Sequence, residues 1–204
     1  MFSKNLHGKV VIALGGNDDY TPVFYRINNI DEKNALETLL ADRPHIRVFD
    51  TMRAQLKELV RSKQPAVSLT KEEIESNIKE HLGGRDIDEY GVWVYYPWAD
   101  RLVHLLDEEE FIMLRTNRNR YKITGDEQAL LYTKKVGVIG LSVGQSVSLT
   151  MAMERTFGEL RIADYDDLEI TNLNRLRTGV HNMGLLKTVL VAREIAEIDP
   201  FLKV

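Results

Sequence analysis

Apolar positions recur along this chain with two periods, and each period marks a different element. Ala35, Leu36, Leu39 and Leu40 fall at helical spacing and predict a helix over residues 31–41. Met52, Leu56, Leu59 and Val60 predict a second helix, and Ile74, Ile78 and Leu82 a third. The third has an explicit start and stop: Thr70-Lys-Glu-Glu73 is a capping-box pattern, and Gly83-Gly84 ends the helix. Residues 9–14 and 45–49 read as strands. Gly91-Val-Trp-Val-Tyr-Tyr-Pro97 and Arg101-Leu-Val-His-Leu-Leu106 read as paired strands on a short turn. Asp107 can cap a short helix carrying Phe111 and Leu114, and Thr124-Gly-Asp-Glu127 opens another with Ala129 and Leu130.

From Lys135 the pattern changes. A buried-type strand, Lys135-Val-Gly-Val-Ile139, runs into the small-residue turn Gly140-Leu-Ser-Val-Gly144 and a helix. A second strand follows and ends on Asp164. Leu185, Leu186, Val189, Leu190, Ile195 and Ala196 form a helical stripe that Asp199-Pro200 stops, and residues 201–204 begin a third strand. This order predicts an α/β protein: a truncated Rossmann-like parallel-sheet nucleotide-binding domain over 117–204, preceded by an N-terminal α/β region, 1–116, of unassigned role. The boundary is set at the polar stretch Asn117-Arg-Asn-Arg120. A doubly wound sheet with two complete strands is incomplete, so the chain reads as a fragment of a longer protein.

Composition narrows the partners. The 204 residues carry a net charge of −4, with no basic footprint for nucleic acid. No apolar run approaches the roughly 20 residues that cross a bilayer, so no membrane partner is expected. Cysteine is absent, which excludes a disulfide, a thiolate metal site and a cysteine nucleophile in this chain and is compatible with a reducing cytoplasm. His7, His45, His81, His104 and His181 have no metal-ligand spacing, and no metal ligands are assigned. Val11-Ile-Ala-Leu-Gly-Gly-Asn17 has the look of a phosphate loop, but the residues after it do not continue that pattern.

A strand, a small-residue turn, a helix and an acid describe a nucleotide pocket: amides at the helix start face phosphate and the acid faces ribose. Gly140, Ser142 and Gly144 form the turn, and Asp164 follows Gly140 by 24 positions. The dinucleotide fingerprint would need glycines at 142 and 145, where the chain has Ser142 and Gln145. A turn that binds nothing and a solvated aspartate are the plain alternatives. Asp166 and Asp167 read as solvated neighbours, one of which can help to position Mg²⁺. Asn172, Arg175 and Lys187 add polar and cationic groups that suit phosphate, against the alternatives of Arg175 or Arg177 pairing with Glu169 at the surface and Lys187 standing on a solvated helix face.

Val138-Ile-Gly-Leu-Ser-Val-Gly144, Leu160-Arg-Ile-Ala-Asp-Tyr-Asp166, Thr171-Asn-Leu-Asn-Arg175 and Met183-Gly-Leu-Leu-Lys187 together resemble the adenylyltransferase superfamily of ThiF, MoeB, HesA and the ubiquitin-activating enzymes. The resemblance spans about Asn117 to Val204. It is nearest in character to long bacterial ThiF-like proteins with an extra N-terminal region, some joined to a nitroreductase-like domain. It implies ATP with Mg²⁺ as cofactor, Asp164 on ribose, and Asn172, Arg175 and Lys187 around the phosphates. It also implies a ubiquitin-like or sulfur-carrier protein as partner and a homodimer in which Arg120 reaches the partner subunit's ATP. Arg118 competes for that role, and Gln128 falls in the following helix. Ser142 and Gln145 depart from the family's glycines, and the family's Mg²⁺-linked aspartate has no counterpart before Val204. Two other functions fit parts of the pattern. An NAD-binding oxidoreductase accounts for the turn and Asp164 but leaves Asn172, Arg175 and Lys187 unexplained. A catalytically silent interaction module accounts for the altered turn.

Overall fold

The computed structural model describes residues 18–204. The strand at 9–14 and the phosphate-loop-like segment at 11–17 lie outside them. Contacts group the described residues into one unit over 22–130 and a second over 18–21 and 131–204.

The first unit is built on a mixed sheet with strand order β1-β3-β4-β2. Its strands are β1 (Val23–Tyr25), β2 (Arg47–Asp50), β3 (Val92–Tyr96) and β4 (Arg101–Leu105). β3 and β4 form the expected hairpin, and β2 pairs with β4 in parallel. Helix α1 (Ile30–Asp42) packs Leu36 with Tyr95 and Leu102, a cross-strand pair on one sheet face. Helices α2 (Met52–Lys63) and α3 (Lys71–Leu82) bury Leu56, Leu59, Ile74 and Ile78 together, with Phe111 and Leu114 of α4 (Glu108–Thr116) against them. The capping box at α3 has both reciprocal bonds, and Gly83 closes the helix at φ +59°, a left-handed conformation that glycine adopts without Cβ strain. His104 is fully buried; its Nε2 lies 2.6 Å from the Tyr90 carbonyl and its ring stacks on Trp93. It is a core histidine. Helix α5 (Gly125–Tyr132) starts at Thr124, whose hydroxyl accepts from the Glu127 N–H at 3.2 Å. Strand β1 is three residues long and has no counterpart among the predicted elements.

The second unit reads β5 (Lys135–Ile139), α6 (Leu141–Glu154), β6 (Glu159–Ala163) and α7 (Lys187–Ile198). β5 and β6 are parallel, as a helical crossover requires. The Leu160 N–H donates to the Lys203 carbonyl at 2.9 Å, and Glu159 forms an isolated parallel bridge with Lys203, so the predicted third strand is present as a single bridge beside β6. Leu141, Phe157, Leu160, Val191 and Ile195 form the core between helices and strands. The continuous apolar run of β5 predicts burial on both faces. Instead Val136 and Val138 join the core and Ile139 is 90% exposed. Val136 and Val138 point one way and Ile139 the other, because side chains alternate along a strand. Among the described residues no helix is long and apolar enough to cross a membrane.

Candidate functional site at the start of helix α6

The turn between β5 and α6 depends on Gly140, whose φ of +84° is disfavoured for any residue with a Cβ. Its N–H donates to the Ala163 carbonyl at 2.8 Å, which fixes the turn beside the end of β6. That brings Asp164 to the helix start. The Leu141 N–H donates to Asp164 Oδ2 at 2.6 Å, and the Asp166 N–H donates to Oδ1 at 2.9 Å. Burial pushes the Asp164 carboxyl upward. Backbone N–H donors from Leu141, Asp166 and Tyr165, with the charge of Lys187, outweigh it and hold the group below the ordinary aspartate value. Asp164 is therefore a fixed anion at neutral pH. Each oxygen retains lone-pair capacity for a hydroxyl donor. The Ser142 and Val143 amides belong to the first turn, where a helix leaves N–H groups without intrahelical partners.

Arg175 reaches this point from 33 positions away. Its Nη2 lies 3.4 Å from Ser142 Oγ, while Nη1 donates to Asn174 Oδ1 at 3.0 Å. The side chain is otherwise exposed. Asn172 stands one step behind. It is buried in the short 3-10 turn Ile170–Asn174, and its Oδ1 accepts from the Glu169 N–H at 3.1 Å. Its carbonyl accepts from the N–H groups of Arg175 and Leu176. The side chain of Asn172 thus shapes the loop that carries Arg175. Lys187 opens α7 with its side chain only 3% exposed, and Nζ donates to Asp166 Oδ2 at 2.8 Å. Asp166 is therefore an ion-pair partner as well as a half-exposed acid, and the Lys187 charge meets the site through it. Arg120 belongs to the first unit and is exposed, with its guanidinium 5.0 Å from the Tyr121 ring centre. Asn119 Nδ2 donates to Gln128 Oε1 at 2.8 Å, which ties the segment before α5 to that helix.

Gly144 and Gln145 explain how the turn departs from the fingerprint. A Cβ built on Gly144 would come within 2.6 Å of Val138 Cγ1 and 3.5 Å of Leu141 Cδ2. Gly144 permits close packing of α6 on β5, one of the jobs that glycine does in such turns. Gly144→Ala is expected to destabilise the second unit by about 1–3 kcal/mol through overpacking. A lowered urea midpoint with an unchanged slope measures it, and Val138→Ala in the same chain should recover part of the loss.

Gln145 is fully buried. Its Oε1 accepts from the Arg177 N–H at 3.1 Å, and its Nε2 donates to Glu194 Oε2 at 2.8 Å and approaches the Arg177 carbonyl at 3.4 Å. Burial, followed by the nearby Glu197, pushes the Glu194 carboxyl up to about 7 against the opposing hydrogen bonds from Gln145 and Thr178. Glu194 lay outside the sequence expectations. Its one signal is an acid four positions after Leu190 and one before Ile195 on a largely buried helix. Among the described residues no group of three or more His, Cys, Asp or Glu side chains is arranged to hold a metal ion.

No protein-family model matches the chain. An uncharacterized protein of Mycobacterium tuberculosis is 45% identical over 118 residues, covering 58% of this chain and 16% of that protein. Ubiquitin-like modifier-activating enzyme 5 of Drosophila persimilis is 28% identical over 105 residues, covering 48% of this chain and 27% of that enzyme. That of Arabidopsis thaliana is 34% identical over 65 residues, covering 32% of this chain and 15% of that enzyme. The matched regions are thus well under a third of these relatives' lengths. The structure of E. coli MccB with ATP aligns with 75% of this chain and 46% of its own at a TM-score of 0.41 and 19% identity. Over these partial lengths, the chain is distantly similar in sequence to ubiquitin-like modifier-activating enzyme 5.

Proposed function

We propose that the second unit is the ATP site of an enzyme that adenylylates the C-terminal carboxylate of a ubiquitin-like or sulfur-carrier protein. One observation carries this reading: Arg175 lies against Ser142 at the start of α6, where Asp164 already holds the first amide. An anion-binding helix start, a ribose-type acid and a phosphate-type arginine thereby share one point. The space over Gly140 fits the group, since a Cβ built there meets nothing within 4 Å and a phosphate can approach the backbone. Mg²⁺ would be held chiefly by phosphate oxygens, as hard cations at nucleotide sites usually are. The similarity to ubiquitin-like modifier-activating enzymes supports a small carrier protein as the second substrate.

In the reaction a carrier carboxylate oxygen attacks the α-phosphorus. The bond from that phosphorus to the bridging oxygen breaks, and acyl-adenylate and pyrophosphate result. The protein's share is positioning and charge neutralisation. Arg175 supplies fixed positive charge, Asp164 orients the ribose, and Lys187 acts through its pair with Asp166. Arg120, exposed in the first unit, would serve a partner subunit in a homodimer, the arrangement this reading carries.

Calorimetric titration of the full-length protein tests the nucleotide. Binding of ATP with Mg²⁺ that Asp164→Ala weakens is the expected result. Tight NAD binding with none for ATP would replace this reading by an oxidoreductase.

A further inference from the structure

Gln145 stands where the dinucleotide fingerprint has a glycine, and it is neither exposed nor idle. Its amide spans three pieces of chain. It sits on the second turn of α6, bonds the backbone of Arg177 through Oε1, and bonds Glu194 of α7 through Nε2. Arg177 lies two residues beyond Arg175. The loop between them is therefore anchored at both ends, by Asn172 at its start and by Gln145 at its finish. Without the second anchor, the backbone of the segment 173–177 would be held chiefly by its Asn172 contacts and the packing of Leu176. The long 3.4 Å contact from Arg175 to Ser142 depends on where that backbone is held.

We propose that Gln145 is a positioning residue for adenylyl transfer: it clamps the Arg177 backbone to α6 so that Arg175 is presented at the helix start. This rests on the adenylylation reading and deepens it. A glycine at this position would free the helix start but release the loop. The Gln145 amide is suited to the work because it is donor and acceptor at once and bonds the carbonyl and N–H sides of one residue. Glu194 is the group that orients it, and facing Glu194 are Gln145, Thr178 and Glu197.

The test is ATP–pyrophosphate exchange by the full-length protein in a double-mutant cycle. Gln145→Met keeps the side-chain length and removes both polar atoms. It is expected to lower kcat by about 10–100-fold, on the scale of losing an outer-shell partner that orients a metal ligand, with KM for ATP changed far less. In an Arg175→Ala background the same substitution should cost nothing further, because there is no guanidinium left to present. Gln145→Gly, which restores the last glycine of the fingerprint, should also lower kcat. Gln145→Glu keeps the acceptor for Arg177 but sets two carboxyls together. Its activity relative to the native chain should therefore rise as the pH falls from 8 to 6. Equal losses from Gln145→Met in both backgrounds, or full activity in the Gln145→Gly variant, would overturn the proposal. The adenylylation reading fails separately, if Arg175→Ala alone leaves exchange intact, and the proposal then falls with it.

Discussion

Arg175→Ala is expected to lower ATP–pyrophosphate exchange by about 10²–10³-fold, the scale for losing one preorganised group from a developing charge. Its melting temperature should barely move. The side chain is exposed, and its hydrogen bonds are to Asn174, the Thr171 carbonyl and Ser142 on the surface. Exposed substitutions away from buried features usually change stability by less than about 0.5 kcal/mol. Arg175→Lys should recover little, because an ammonium cannot reproduce the planar fork that meets two oxygens at once. Kinetic and thermal measurements on the same preparation separate chemistry from folding. If activity and melting temperature fall together, the guanidinium is serving the loop and not the nucleotide.

How much of this site can be read from sequence follows from where its partners lie. The helix start at Gly140 and the acid at 164 are legible because a strand, a turn and a second strand impose a nearly fixed spacing between them. Their meeting is a bond from the Leu141 N–H to Asp164. Arg175 is legible as a type and an order, but its approach to Ser142 depends on a loop shaped by buried Asn172 and by Gln145. Gln145 illustrates the gap. In sequence it is a missing glycine; in the structure it is a bridge to a residue 49 positions on. No periodicity encodes such a pair. Asp166 reads in sequence as a solvated acid beside Asp167, yet it receives a lysine from the next helix.

The first unit shows the same division. Its capping boxes and hairpin are local and were legible, whereas β1 is only three residues and its place opposite β3 is a long-range fact. Ile139 fails differently. A run of apolar residues states that a strand can be buried, but the elements that cover each face are set by tertiary packing.

Asp199→Ala is expected to give the largest loss of stability in the second unit, about 3–5 kcal/mol, the range for removing one member of a buried ion pair. Arg155 Nε donates to Asp199 Oδ2 at 2.7 Å, with side-chain exposures of 7% and 0%. The pair joins the C-terminal ends of α6 and α7, where Arg155 ends its helix at φ +55° and Asp199 caps the next. A cation there also meets the negative end of a helix. Asp199 has a further duty, since its Oδ1 accepts from the Phe201 N–H at 3.1 Å and so directs the chain toward the Lys203 bridge beside β6. Replacing both partners by apolar residues, Arg155→Met with Asp199→Leu, should therefore recover much of the loss but not all. The buried charges are gone together, yet the Phe201 N–H has lost its bond to Asp199 Oδ1. A loss of 3–5 kcal/mol is a large part of the roughly 5–15 kcal/mol that holds a typical domain folded. The effect should appear as a lowered denaturant midpoint. At a temperature where the Asp199→Ala variant remains folded, its ATP affinity should match the native value, because the pair touches neither Asp164 nor Arg175. That contrast with Arg175→Ala, one variant losing stability and the other losing chemistry, separates the scaffold of the second unit from its site.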